Sequence, residues 1–207
     1  MKKVIVVFAN SVKHGLHCVA GKDAGTGEWI RPVADANGKE LDNKHGEYMV
    51  KPLQKVEIEL VKYAPLSNQP ENWIVGPAQW AQRFKIEPHE IEGYLDEPET
   101  LWGTEWKSQK GTADRVPYSE IESGSIEITQ SLYLVRVRDL KLNKYMNAWN
   151  KTERRASFSY NGSPYDLAIT DPNLDRHLEA PQHQNILCVS LGEEYEGYCY
   201  KIVAAII

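Results

Sequence analysis

Two segments decide the fold: Lys13–Val33, KHGLHCVAGKDAGTGEWIRPV, and Phe158–Pro172, FSYNGSPYDLAITDP. Each joins two apolar, β-rich runs through a glycine-bearing turn and ends on a polar or charged group. The closing run from Tyr200, YKIVAAII, echoes the second segment. Short, strongly curved hairpins have this pattern, and it occurs once in each half of the chain. Two small β-barrels in tandem are the economical reading, and such an architecture serves binding more often than catalysis.

Outward from these anchors, further strands are legible. Lys3–Ala9 is rich in Val and Ile, His17–Ala20 leads into the Gly-Lys-Asp-Ala-Gly-Thr-Gly turn, and Trp29–Val33 returns. Gln54–Tyr63 alternates, with Val56, Ile58 and Leu60 on one face and Glu57, Glu59 and Val61 on the other. In the second half, Leu132–Arg138 alternates. Arg154–Tyr160 and Ser163–Thr170 flank Asn161-Gly162, the strongest short hairpin signal. Asp171 and Pro172 then open a helix through Glu179, as N-cap and first helical residue. Asn185–Leu191 and Tyr198–Ile207 close the chain, and the last, with almost no polar face, is expected at the centre of a sheet.

Between the β-rich ends the character changes. From Pro65 to Ser123 prolines, glutamates and four of the six tryptophans crowd together, with helix-like pieces at Pro77–Ile86 and Pro88–Leu95. From Glu87 to Glu127 eleven acidic residues stand against three basic ones. The predicted organisation is α+β but mostly β. A first OB-like barrel spans 1–64, an acidic, Trp-rich connector with short helices spans 65–130, and a second barrel spans 131–207. The five-stranded OB-fold fits each unit in size and strand count.

Composition narrows the function classes. The chain has 207 residues and a net charge of −5. Its pI near 5.7 argues against a generally basic nucleic-acid binder, though binding follows local charge. Mean hydropathy is −0.52 and no apolar stretch nears the roughly 20 residues of a membrane span. The opening MKKVIVVFAN has an apolar run shorter than a secretory leader's and reads as a first strand. Cys18, Cys188 and Cys199 are odd in number and sit in apolar runs. Reduced, buried thiols in a cytoplasmic protein are expected.

The residues His17–Gly21 (HCVAG), Trp29–Val33 (WIRPV), Phe158–Pro172, Val189–Gly192 (VSLG) and Tyr200–Ala205 (YKIVAA) together resemble the dual OB-containing domain family. That family is a largely uncharacterised, mostly bacterial group. The resemblance runs through the whole chain in order, with the acidic middle most divergent. It implies a tandem OB-fold and nucleic-acid or nucleotide binding, often in genetic-conflict settings. It brings no catalytic set.

The residues themselves offer several binding candidates. From Ser131 to Tyr160 seven basic residues face two acidic ones, with Tyr133, Tyr145, Trp149, Phe158 and Tyr160 interleaved. Cationic grooves with aromatic faces hold single strands. Arg136, Arg138, Arg154 and Arg155, with Phe158 and Tyr160, are therefore expected along a polyanion-binding face. Trp29 and Arg31 form a second candidate, joined by Lys13 and His14. An ion pair of Arg31 with a glutamate such as Glu57 or Glu59 explains the same arginine without a ligand. Asp171, in Thr170-Asp171-Pro172, could supply a carboxylate for metal or base recognition, or simply cap its helix. Lys201, in an apolar strand, could reach out from the strand edge or face the same groove as Tyr165.

Signals for metal or enzyme chemistry are weak. His14, His17 and Cys18 lack a second ligand pair at finger-like spacing. Gly21–Gly27 lacks the order of a phosphate-cradling loop. No cofactor or metal is predicted. The expected role is binding single-stranded nucleic acid or a nucleotide as an accessory or sensor component. Its rivals are a small nucleotide-directed enzyme using Arg31, Asp171 and a histidine, and a protein-interaction module contacting partners through the acidic, Trp-rich middle.

Overall fold

The protein is seen in a computed structural model that describes residues 1–13, 15–41, 50–108, 111–179 and 185–207. Strands take 52% of the described residues and helices 9%, so the described fold is mostly β with three short helices.

The first sheet is built from β1 (Lys2–Lys13), β2 (Leu16–Asp23), β3 (Trp29–Val33), β4 (Gln54–Tyr63), β5 (Asn72–Val75) and β6 (Ala81–Lys85). Their order is β1-β2-β3-β5-β4-β6, and β1 pairs again with β4, which closes a five-stranded barrel. The alternation of β4 is realised as read. Val56, Ile58 and Leu60 are buried in the barrel, while Val61 is 62% exposed. β2 runs three residues past Ala20, so Gly21 is a strand residue and not part of a turn. A Cβ on Gly21 would lie 2.4 Å from the Val6 carbonyl oxygen, beside a register shift in β1 between Val7 and Ala9. Only glycine fits so close a backbone approach.

The expected helical piece at Pro77–Ile86 is instead β6, which pairs with β4 through Gln54, Val56 and Glu57. β5 and β6 share the edge of β4 opposite β1. Pairing with an available edge outweighs local propensity here. The piece at Pro88–Leu95 is a 3-10 helix over Pro88–Tyr94, with Pro88 at its start and a capping box between Glu87 and Glu90.

The second sheet holds β7 (Arg115–Pro117), β8 (Leu132–Arg136), β9 (Arg138–Met146), β10 (Thr152–Tyr160), β11 (Ser163–Ile169), β12 (Ile186–Tyr195) and β13 (Tyr198–Ile206). Its order is β8-β12-β13-β11-β10-β9, with β7 on β13. The closing strand is central, antiparallel to β12 and parallel to β11. Asn161 and Gly162 both have positive φ, 48° and 80°, as the β10–β11 hairpin turn requires. The stretch read as one strand over Leu132–Arg138 is split at Val137 into β8 and β9. Helix α1 covers Tyr118–Glu122. Helix α2 covers Leu174–Glu179, so it begins two residues later than Pro172 predicts.

Each sheet has its own core, and a third apolar cluster lies between them. β1 and β8 explain it. In β1, Ile5 and Val7 enter the first core while Val6 and Phe8 turn to the shared cluster. In β8, Leu132 and Leu134 face that cluster while Val135 faces the second core. Such strands read as continuous apolar runs because both faces are covered. The acidic middle is packed as well: Trp80 and Trp102 are buried, and the Trp102 indole donates to the Gln130 carbonyl at 2.7 Å.

Candidate nucleic-acid interface

β9 ends the second sheet, and six of its nine residues, with Leu140 half-buried and Leu142 buried, are exposed apart from Asp139 as basic, amide or large apolar groups. With β10 it forms an arm that carries five basic side chains between Arg138 and Arg154 against Asp139 and Glu153. Arg138, Lys141 and Lys151 are exposed and make no ion pair among the described residues. Lys144 is exposed and reaches Asp175 of α2 at 2.6 Å. At the tip, Trp149 is 80% exposed, and Tyr145 and Met146 flank it on β9. An exposed tryptophan beside lysines on a two-stranded arm provides both elements that single strands need: cations for phosphates and a ring face for a base.

The other predicted members of this face are placed differently. Arg136 is exposed but engaged by Glu92 and by Asn185, the latter at 2.7 Å. Arg154 is half-buried and donates to the Asp171 carbonyl. Arg155 is buried, with its Nε 2.7 Å from Asp166. Phe158 and Tyr160 lie in the second core, Phe158 stacked on Tyr165 at 5.5 Å and Tyr160 donating to the Pro98 carbonyl at 2.7 Å. Alternation along β10 sends these rings inward with Ala156, so they stabilise the barrel and present no face to a base.

Arg31 is buried at the junction of the barrels. It is bound to Glu71, not to Glu57 or Glu59: its Nη2 lies 3.3 Å from Glu71, 2.9 Å from the Ser131 hydroxyl and 3.2 Å from the Ser190 hydroxyl. Glu57 is taken by Lys2 and Arg83. Trp29 is buried and donates to Asp96 at 3.0 Å. Lys13 ends β1, and His14 lies outside the described residues. Asp171 is buried. Its Oδ1 accepts the Asn173 amide at 2.7 Å and its Oδ2 the Ile206 amide at 2.9 Å, so it ties the start of α2 to the closing strand. Lys201 is buried, donates to the Gly103 carbonyl at 2.8 Å and sits 5.6 Å over the Tyr165 ring. Arg31 and Asp171 thus belong to separate hydrogen-bond networks.

A cleft of about 440 Å³ opens between the barrels, with Arg31, Gln69, Glu193, Glu194, Tyr195 and Tyr200 among its walls. Sequence reading missed these two tyrosines. Their signal was the pattern Tyr195-Glu196-Gly197-Tyr198-Cys199-Tyr200, aromatics set about a tight glycine turn. Cys188 and Cys199 are buried free thiols, whereas Cys18, expected in the core, is half-buried in the cleft wall. Among the described residues no group of three or more His, Cys, Asp or Glu could hold a metal ion. No described helix is long and apolar enough to cross a membrane.

No curated protein matches the chain. A solved structure described as "Crystal structure of the tetrameric p202 HIN2" aligns over 100% of this chain and 92% of its own. Its identity is 8% and its TM-score 0.31, a likeness too slight to carry an argument. The decisive comparison is with a family model described as the dual OB-containing domain, which matches residues 3–206. With two OB-like sheets in one chain and a match over nearly its whole length, the protein belongs to the dual OB-containing domain family.

Proposed function

We propose that the protein binds single-stranded nucleic acid along the β9–β10 arm of its second barrel. One observation carries the reading: Trp149 is exposed at the tip of the arm beside the exposed Lys151, and Lys141 and Arg138 are exposed farther along β9, in an otherwise acidic chain. The arm's local charge orients an approaching polyanion although the whole molecule weakly repels it. Membership of an OB-containing family supports the same ligand class, because OB-fold loops and strand faces bind oligonucleotides. That support is fold-level analogy and the arm's chemistry is the stronger argument.

The test is fluorescence anisotropy with a labelled single-stranded oligonucleotide at two salt concentrations. Affinity should fall with salt, with a logarithmic slope of about −0.7 per neutralised phosphate. Lys141→Glu with Lys151→Glu should weaken binding by about tenfold or more and flatten that slope. Trp149→Ala should cost about 1–3 kcal/mol where a base stacks on the indole. A charge-reversed variant that is folded by circular dichroism and binds as the parent does would remove the arm from the interface.

A further inference from the structure

We infer that the cleft between the barrels is a nucleobase site, in which a base stacks on Tyr195 or Tyr200 and turns its polar edge toward Arg31 and Glu194. Its ligand class follows from the reading above, but it uses none of the residues of the β9–β10 arm.

Size is the first support. The cleft of about 440 Å³ falls within the roughly 300–1,000 Å³ of small-molecule sites. Its aromatic end is preformed. Tyr195 and Tyr200 sit on the β12–β13 hairpin, whose turn residues Glu196 and Gly197 have φ of 51° and 81°. Tyr195 pairs with Tyr198 across that hairpin, which puts Tyr195, Tyr198 and Tyr200 on one face. Tyr200 is braced edge-on by Tyr198 at 6.3 Å, and Arg115 lies over the Tyr198 ring at 4.0 Å. Tyr195 is 64% exposed, and its ring is tilted 55° from that of Tyr200 at 6.4 Å. The tilt leaves no parallel slot between the two rings, so one face of one ring receives the base.

Charge selects the ligand. Arg31 lines the cleft already paired with Glu71 at 3.3 Å, and Glu194 adds a carboxylate to the wall. The walls are therefore not electropositive, and a bare phosphate is repelled. A neutral heterocycle with both acceptors and amino donors suits them. Arg31 is 7% exposed, and its Nε has no hydrogen-bond partner among the described residues. A buried, unmet donor is costly, and a ring acceptor could satisfy it after a small shift of the side chain. The Glu194 carboxylate accepts from exocyclic amines, as acidic side chains do from cytosine. Glu194 spends Oε1 on the Gly197 amide at 2.6 Å, which fixes that side chain at the mouth. Guanine matches the walls best, because it offers two acceptors to an arginine and an amino group to a carboxylate. Uracil has no amino group and matches least.

The experiment is calorimetric titration of the parent protein with guanosine, adenosine, cytidine, uridine and ribose 5-phosphate. Guanosine should bind most tightly, uridine most weakly, and ribose 5-phosphate should not compete. Tyr195→Ala, at an exposed position that leaves folding intact by circular dichroism, should weaken guanosine by about fivefold or more. Glu194→Gln should narrow the gap between guanosine and uridine. The inference is overturned if no nucleoside binds, if uridine matches guanosine, or if ribose 5-phosphate competes. A folded Tyr195→Ala variant that binds as the parent does overturns it too. Nucleosides carry no phosphate, so their titration reports on the cleft alone, and failure of the β9–β10 arm would be seen only with oligonucleotides.

Discussion

Trp29 donates its indole N–H to the Asp96 carboxylate at 3.0 Å, and the same oxygen accepts the Leu134 amide at 2.8 Å. The other oxygen of Asp96 accepts from the buried Lys22 at 2.7 Å. One carboxylate from the acidic middle therefore binds β2 and β3 of the first barrel to β8 of the second. Lys22 also donates to the Tyr94 carbonyl at 2.8 Å and lies 5.2 Å from the Trp29 ring, which completes the joint.

Replacing Asp96 by Ala strands the Lys22 ammonium and two N–H donors. Breaking a buried pair from one side costs about 3–5 kcal/mol. Urea denaturation should show a loss of that order. Lys22→Met combined with Asp96→Leu should lose less, because no uncompensated charge remains. Equal losses in the two variants would show that the charge pairing is not what the joint depends on.

Asp171 gives the fold an acid limit. Burial raises its pKa, but the His177 side chain and the Asn173 and Ile206 amides outweigh burial and hold it below the ordinary 3.8. A carboxylate so depressed stabilises the fold above its ordinary value, and that contribution is lost as pH falls through the lowered one. Asp171→Asn should flatten the acid limb of the stability curve. At neutral pH it should cost about 1–3 kcal/mol through the weakened Ile206 contact. Thermal melts of both proteins across the acid range measure this.

Lys201 acts at the other end of the scale. Burial lowers its pKa to about 8 from 10.5, against the opposing pull of Asp114 and Glu105. Between those values the unfolded chain keeps a proton that the folded one releases, so stability from this group rises with pH across the window. Relative to Lys201→Met, the parent should gain stability as pH is raised from 8 to 10.5. A constant difference between the two would place the lysine elsewhere.

The thiols should differ in reactivity. Burial drives the Cys188 thiol far up and the Cys199 thiol to about 12, so neither forms thiolate at moderate pH. Cys18 is only half-buried in the cleft wall. Alkylation of the native protein should add one label, at Cys18, by intact mass. Labelling of Cys188 first, or a disulfide, would contradict this placement.

What could be read in advance follows from the range of each interaction. The alternation in Gln54–Tyr63, the Asn161-Gly162 turn and the apolar closing run are local signals, and β4, the β10–β11 hairpin and β13 stand where they predict. β6 escaped because its strand character comes from the edge of β4, some 25 residues upstream. Arg31 reads as an arginine among residues that want burial, and it is buried. Its partner Glu71 was not legible, because nothing in the acidic stretch marks one glutamate among many. Phe158 and Tyr160 follow the opposite pattern, since composition grouped them with the arginines while the pleat of β10 separates them. Tyr195 and Tyr200 converge with Arg31 only once two sheets are packed together, and no window of sequence spans that distance.

The strand β8 of the second barrel presents Leu132 and Leu134 to the cluster shared with the first barrel and Val135 to its own core. A gene segment cut on either side of it would carry one barrel with an apolar flank laid open to water. A single barrel transplanted on its own would therefore need a new surface to cover that flank.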